Sequence, residues 1–306
     1  MSPGRQAILV TAADLAQPAL ALLDNYEVVF AGLVPKEDDL VALMSMHDPV
    51  GVIVRYGKVT ARVIQAGKSL KVISKHGSGI DTIDVDAAEN QGVAVCAATG
   101  VNAAAVAEHT MALILACAKS ITGMNARMHS GNWDKATHKS MELNGHTLGL
   151  VGLGAIGRRV ASMAAAMGLN VMVFDPYVTV APPGVKQVAL DELLRNSDIV
   201  SLHCPLTDSN KNMLNEHSLN TLKRGAIIIN TARGGLIDEE ALLRAIRSGQ
   251  VAAAGLDSFQ QEPAPVDHPF YGEPNIVLSP HIGGVTKEAY VNMGVTSVRN
   301  LLSHLG

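Results

Sequence analysis

The chain has 306 residues, 24 of them Lys or Arg and 28 Asp or Glu, for a formal net charge of −4. That balance excludes a basic nucleic-acid footprint, and 48% hydrophobic against 17% charged residues excludes a disordered polymer. A globular chain of this size buries roughly three quarters of its unfolded surface, and the length favours two domains. The opening sequence MSPGRQAILV enters an apolar stretch without the charged flank and cleavage site of a secretion signal, so a cytoplasmic protein is expected. The longest apolar runs, such as 111–118, fall short of the roughly 18 residues that a membrane span requires, so no membrane partner is expected. Cys96, Cys117 and Cys204 are too far apart for a C-x-x-C pair and are expected as reduced, buried thiols.

Short β-branched runs at 7–11, 27–30, 51–54, 71–74 and 93–96 read as strands, with helices around 18–23, 37–46 and 60–66 between them. Such alternation requires crossovers and parallel pairing, hence a small doubly wound α/β unit. A long helix is expected over 101–119, which is rich in Ala, Leu and Met and lacks Gly and Pro. A polar, irregular excursion over 122–143, carrying Trp133, follows it. The alternation resumes with strands at 147–151, 170–174, 198–203, 226–230, 252–256 and 276–278, giving a second α/β unit. An amphipathic stretch over 286–304 is too little to stand alone and is expected to pack back on the first unit. The expected organisation is a discontinuous domain of 1–98 and 283–306 and a second domain of 99–282.

Residues 149–160 read GLVGLGAIGRRV, with Gly152, Gly154 and Gly157 in G-x-G-x-x-G spacing between an apolar strand and an Ala- and Met-rich helix over 155–167. That context marks a Rossmann-type dinucleotide site. Gly152 permits the tight turn, Gly154 lets a pyrophosphate approach the backbone, and Gly157 lets helix pack on strand. The helix start at Ala155 and Ile156 supplies free N–H donors and the positive end of the dipole. Asp175, 18 residues after Gly157 at the next strand's end, is placed to accept hydrogen bonds from the adenosine ribose. Pro176, Tyr177 and Val178 follow it with no cation for a ribose phosphate, so NAD is expected over NADP. No metal is expected: Asp81, Asp84 and Asp86 lack the calcium-loop pattern and read as turn and cap residues, and the 11 histidines contain no H-x-x-x-H pair.

Six segments then occur in order: KHGSGIDTID (75–84), AVAEHTMALIL (105–115), SDIVSLHCPLT (197–207), INTARGGLIDEEAL (229–242), GLDSFQQEP (255–263) and SPHIGG (279–284). Together they resemble the D-isomer-specific 2-hydroxyacid dehydrogenases, including hydroxypyruvate and glyoxylate reductases and the catalytic part of phosphoglycerate dehydrogenase. The resemblance covers almost the whole chain. It implies a Rossmann-type NAD domain with a smaller flavodoxin-like substrate domain, and a catalytic set of Arg233, Glu262 and His281. Reducing a 2-keto acid independently asks for such residues. Arg233 offers a planar fork of donors for the carboxylate and carbonyl oxygens. His281 carries a proton near neutral pH, and Glu262 orients the ring and favours the imidazolium.

The resemblance further implies that Asp257 contacts the nicotinamide amide, that Thr231 and Ala232 line the cofactor, and that His203 and Pro205 lie beside the adenine. Ser78 and Gly79 match a loop whose N–H groups face the substrate carboxylate, and Arg55 and Tyr56 a loop that closes over the substituent. Lys75 and His76, just before Ser78, argue for polar or anionic substituents, hence short D-configured acids of the hydroxypyruvate, glyoxylate or 3-phosphoglycerate type. This chain departs from the family at Tyr56 and Gly57, where a small Ser or Thr is common, at Thr99, where Pro is common, and at Gln260 and Gln261, which replace an acidic pair. A homodimer is expected, paired through the NAD-binding domain by the long helix and the excursion after it. The alternative from another class is an NAD-sensing binding protein of the corepressor type, told apart by whether NADH is consumed with 2-keto acids.

Overall fold

The computed structural model describes residues 5–306. Contacts divide the chain into two compact units, Met1–Asn102 with Val285–Gly306, and Ala103–Gly284. The first unit opens with β1 (Ala7–Val10), α1 (Gln17–Leu20), β2 (Glu27–Phe30), α2 (Glu37–His47), β3 (Gly51–Val54), α3 (Ala61–Ala66), β4 (Val72–Lys75), α4 (Val85–Asn90) and β5 (Ala94–Ala97). Its sheet is parallel throughout in the order β2-β1-β3-β4-β5, the flavodoxin-like order, with its switch point between β1 and β3. Every residue of β1 and of β3 is buried, because helices cover both faces of the sheet. Alternate residues feed two cores: Leu9, Val52, Val54 and Ile73 pack with Leu40 and Ile64 on one face, and Ile8, Val10, Ile53 and Val72 on the other.

The second unit comprises α5 (Ala103–Lys119), α6 (Ile121–His129), β6 (Thr147–Val151), α7 (Ala155–Ala166), β7 (Asn170–Phe174), β8 (Val185–Gln187), α8 (Leu190–Asn196), β9 (Ile199–Leu202), α9 (Glu216–Thr221), β10 (Ala226–Asn230), α10 (Glu239–Arg247), β11 (Val251–Leu256) and β12 (Ile276–Leu278). The sheet runs β12-β11-β10-β9-β6-β7-β8, again wholly parallel. Counted from β6 this is the Rossmann order with one further strand, and the direction of winding reverses between β6 and β9. Helix α5 lies on β11, where a Cβ at Gly255 would come within 2.9 Å of Leu113 and 3.4 Å of Cys117. Among the described residues no single helix is long and apolar enough to cross a membrane.

Two elements differ from the sequence reading. Residues 121–129, expected as irregular, form α6, whose residues are all at least partly exposed, so the apolar period that announces a helix is missing. The edge strand β8 pairs only with β7, and its exposed Lys186 and Gln187 mask any strand signal.

The chain ends in α11 (Lys287–Leu305), capped by the Thr286 hydroxyl, which accepts from the Ala289 N–H at 3.0 Å. This helix returns to the first unit, burying Val298 and Leu301 in the core that contains Ile8, Val10 and Ile53. Gly51 leaves room for it, since a Cβ there would stand 2.9 Å from Leu301. Ser74 and Asn300 donate to Ser297 O and Ala97 O at 2.7 and 3.0 Å. Leu301→Ala removes a fully buried side chain and leaves a cavity over β3. It is expected to lower stability by about 2–5 kcal/mol, read as a fall in the denaturant midpoint.

Candidate active site

In a parallel sheet every strand delivers its C-terminal end to the same edge, and in the second unit the candidate residues gather there. After β6 the chain turns at Gly152, whose φ of +102 favours glycine, and a Cβ there would meet His203 O at 2.7 Å. A Cβ on Gly157 would overlap the Gly152 carbonyl oxygen. Gly154 is the N-cap of α7 and has open space where its Cβ would project. No side chain caps α7, so its first N–H groups, including those of Ala155 and Ile156, remain for an anion.

Asp175, just past the end of β7, accepts from the Leu153 and Tyr177 N–H groups at 2.8 and 2.9 Å. Each carboxylate oxygen keeps a lone pair for a ribose hydroxyl. His203 shares a 2.9 Å hydrogen bond with Ser201 through Nε2, while Nδ1 is buried without a protein partner. Burial pushes this imidazole down to about 4, so it is neutral at neutral pH. Pro205 lies exposed two residues on. An open glycine position, an uncapped helix start and an orphaned ring nitrogen fit a dinucleotide.

The catalytic candidates lie on the turns after β10, β11 and β12. Asn230, 1% exposed, ties the first turn by accepting from the Ala232 N–H at 3.0 Å and donating to Arg233 O at 2.8 Å. The Arg233 guanidinium donates to Ala232 O at 2.7 Å. The Thr231 hydroxyl donates to that of Thr110 at 2.9 Å, because Thr110 itself donates to Val106 O. On the second turn the Phe259 N–H donates to Glu262 Oε1 at 3.0 Å, and Glu262 Oε2 lies 2.7 Å from His281 Nδ1. His281 sits in the left-handed region, with φ +54.

Asp257, 2% exposed, holds the His281 turn in place. Its carboxylate accepts from Ser279 Oγ at 2.6 Å and from the Ile282 and Gly283 N–H groups at 2.9 and 2.7 Å. His109 Nε2 completes the network, 2.9 Å from Ser279 Oγ. These bonds, together with Asn230, are the working contacts that motif reading missed; their signal is a polar residue buried at a strand end.

His281 is raised above the ordinary imidazole value, first by the hydrogen bond to Glu262 and then by the charges of Glu262 and Asp257, against burial and Arg233. Burial works to raise Glu262, but the hydrogen bond and charge of His281, the Phe259 N–H and the Arg233 charge outweigh it and hold the carboxyl low. Each partner thus favours the charged form of the other, the proton on the imidazole and the charge on the carboxylate.

In the first unit the Arg55 guanidinium lies 5.2 Å from the Tyr56 ring centroid and 4.8 Å from that of Tyr290, and donates to Asp14 O at 2.8 Å and to Asp14 Oδ1. Ser78 Oγ accepts from the Gly100 N–H at 3.2 Å, beside Gly79. His76 corrects the sequence reading. It is 9% exposed, and burial, with the charges of Arg55 and Lys75, pushes it down to about 4, so it supplies no cation. The Lys75 ammonium donates to Arg55 O and Thr82 Oγ1, both at 3.3 Å.

Gly154 and Gly157 separate cofactor binding from packing. Gly154→Ala is expected to leave the melting temperature unchanged and weaken NADH binding by about tenfold or more. Gly157→Ala, which would strike backbone, is expected to lower both. Fluorescence titration and thermal denaturation check this.

The model of the D-isomer specific 2-hydroxyacid dehydrogenase, NAD binding domain, matches residues 111–283. Hydroxypyruvate reductase of Thermotoga maritima is 43% identical over 274 residues, covering 89% of each chain. D-3-phosphoglycerate dehydrogenase of Archaeoglobus fulgidus is 39% identical over 249 residues, 80% of this chain and 47% of that one. The chain thus spans about half the length of that relative. The crystal structure of the TT0316 protein from Thermus thermophilus superposes with a TM-score of 0.91 at 38% identity, covering 98% of this chain and 97% of that one. The chain belongs to the D-isomer-specific 2-hydroxyacid dehydrogenases, the NAD-dependent oxidoreductases that act on the CH–OH group of 2-hydroxy acids.

Proposed function

We propose that the chain interconverts short polar 2-keto acids and 2-hydroxy acids of D configuration where the product is chiral, reducing hydroxypyruvate and glyoxylate in preference to oxidising hydroxy acids of the 3-phosphoglycerate type. The observation that carries the chemistry is the 2.7 Å contact of Glu262 with His281 Nδ1, beside the Arg233 turn. Glu262 on Nδ1 directs the transferable proton to Nε2. NADH, when bound, supplies the hydride to the carbonyl carbon. Arg233 holds the substrate carboxylate and carbonyl oxygen in one orientation, and His281 Nε2 gives its proton to the oxygen as alkoxide charge develops. In the oxidation direction His281 takes that proton back.

The second unit holds NAD through Gly152, Gly154, Ala155, Ile156, Gly157, Asp175, His203, Pro205, Thr231, Ala232 and Asp257. The first contributes Arg55, Tyr56, Ser78 and Gly79 to substrate binding, on the loops after β3 and β4, the edge at which doubly wound sheets take ligands. Arg55, already paired with Asp14, favours a polar substituent over a purely anionic one, and a relative's name, hydroxypyruvate reductase, agrees with that choice. The enzyme works in the cytoplasm, in keeping with three unbridged cysteines. It is a homodimer through the NAD-binding domain, paired by α5 and the segment after it, in which Ile121, Met128 and Trp133 are 54%, 53% and 76% exposed.

Consumption of NADH with a panel of 2-keto acids tests the substrate class. A preference of about tenfold or more for a branched aliphatic keto acid over hydroxypyruvate and glyoxylate overturns it. His281→Ala is expected to lower turnover about 100- to 10,000-fold while retaining NADH affinity. Because reduction needs the imidazolium, kcat/KM should hold at low pH and fall as pH rises through the raised value of His281. Glu262→Gln should move that fall to lower pH. A sedimentation mass near 32.1 kDa, rather than about twice that, would contradict the dimer.

A further inference from the structure

The loop that carries Glu262 is anchored by a second carboxylate, on Glu239. Phe259 and Gln260 give consecutive N–H groups to two different acids, Phe259 to Glu262 Oε1 at 3.0 Å and Gln260 to Glu239 Oε1 at 2.9 Å. The Gln260 side chain adds a 2.7 Å bond to Ile237 O, two residues before Glu239. The other oxygen of Glu239, Oε2, lies 3.2 Å from His268 Nε2. His268 Nδ1 accepts the Phe270 N–H at 3.3 Å, so a neutral ring keeps its one proton on Nε2 and donates it to Glu239. His268 is 7% exposed, with the rings of Phe259, Phe270 and Tyr271 at centroid distances of 5.7, 4.8 and 5.8 Å, which fixes its orientation.

Glu239 is not needed to cap α10. Asp238 already does so, accepting from the Ala241 N–H at 3.0 Å, and the exposed Glu240 supplies a second acidic residue to the first turn. Only Glu239 is turned into the catalytic loop, with its side chain 18% exposed.

We propose that Glu239, held by His268, is a positioning residue for the Glu262–His281 pair: by fixing the Phe259–Gln260 peptide it sets the place from which the Phe259 N–H holds Glu262 against His281 Nδ1. The inference rests on the proton-transfer role given above to Glu262 and His281. The groups that set the charge of His281 are Glu262, Asp257 and Arg233, and Glu239 acts through the first of them.

The test compares Glu239→Ala and Glu239→Gln with wild type by kcat, KM, NADH affinity, melting temperature and the pH profile of reduction. Glu239→Ala is expected to lower kcat about tenfold or more, keep NADH affinity within about twofold, and move the alkaline fall of kcat/KM to lower pH. In Glu239→Gln the amide oxygen still accepts the Gln260 N–H while the amide NH2 loses the His268 bond, so kcat should fall less than in Glu239→Ala and the alkaline fall should lie between that variant and wild type. A Glu239→Ala enzyme with a lower melting temperature but an unmoved pH profile overturns the proposal, as does a Gln variant as impaired as the Ala one. If Glu239→Ala does not fold, His268→Leu takes its place: a smaller shift in the same direction supports the proposal and an unmoved profile sinks it. His281→Ala run alongside separates the two levels. Retained turnover there removes the underlying reading and the inference with it. Lost turnover there, with Glu239→Ala normal, removes the inference alone.

Discussion

A Cβ on Gly234 would overlap the carbonyl group of Phe259, so the turn after β10 and the loop after β11 touch backbone to backbone. The two strands are parallel neighbours, with Asn230 opposite Leu256, and their ends emerge side by side. Arg233 precedes the contact on one loop and Glu262 follows it on the other, so this close approach brings the cation and the acid to one place. Asn230 serves both loops: its carbonyl accepts the Asp257 N–H at 2.9 Å, while its side chain ties Ala232 and Arg233. Any side chain at position 234 has to push the catalytic loop away from its neighbour.

Three histidines show how the scaffold sorts one residue type into different roles. His203 is driven down to about 4 by burial alone, and His76 equally far by burial aided by the Arg55 and Lys75 charges. Both are neutral at neutral pH. Desolvation works to lower His281 as well, yet it moves upward, because Glu262 bonds to it and Asp257 adds its charge. The difference is a carboxylate within hydrogen-bond reach, which outweighs desolvation at one site and is missing at the other two.

The doubly wound architecture was legible because parallel strands buried on both faces read as apolar runs, and the glycine loop because its spacing puts Gly152 and Gly157 where a Cβ would strike backbone. The proposed set of Arg233, Glu262 and His281 came from the segments that carry the family resemblance. What stayed hidden lacked a periodic signal. Helix α6 has no buried face, and β8 pairs along one edge only. The side-chain wiring stayed hidden for another reason: Asp257 ties Ser279, Ile282 and Gly283, more than 20 positions later in the chain, and only the folded loops bring them together. His76 looked like a charge beside a substrate loop, and only the three-dimensional packing of α11, where Gly294 would bring a Cβ within 3.6 Å of its Nε2, reveals it as a core residue.

Chemistry and architecture rest on different carboxylates. The side chains of Glu262 and His281 are 38% and 44% exposed, so water screens their attraction and the pair adds little to stability. What it does add is lost as pH rises through the raised value of His281, and lost again as pH falls through the lowered value of Glu262. Asp257 is the reverse case, with a side chain 3% exposed and its oxygens bonded to Ser279, Ile282 and Gly283. Removing its acceptors strands buried donors, at about 1–3 kcal/mol for each group left unmatched. The exposed pair keeps its place because a buried carboxylate holds the turn that carries His281.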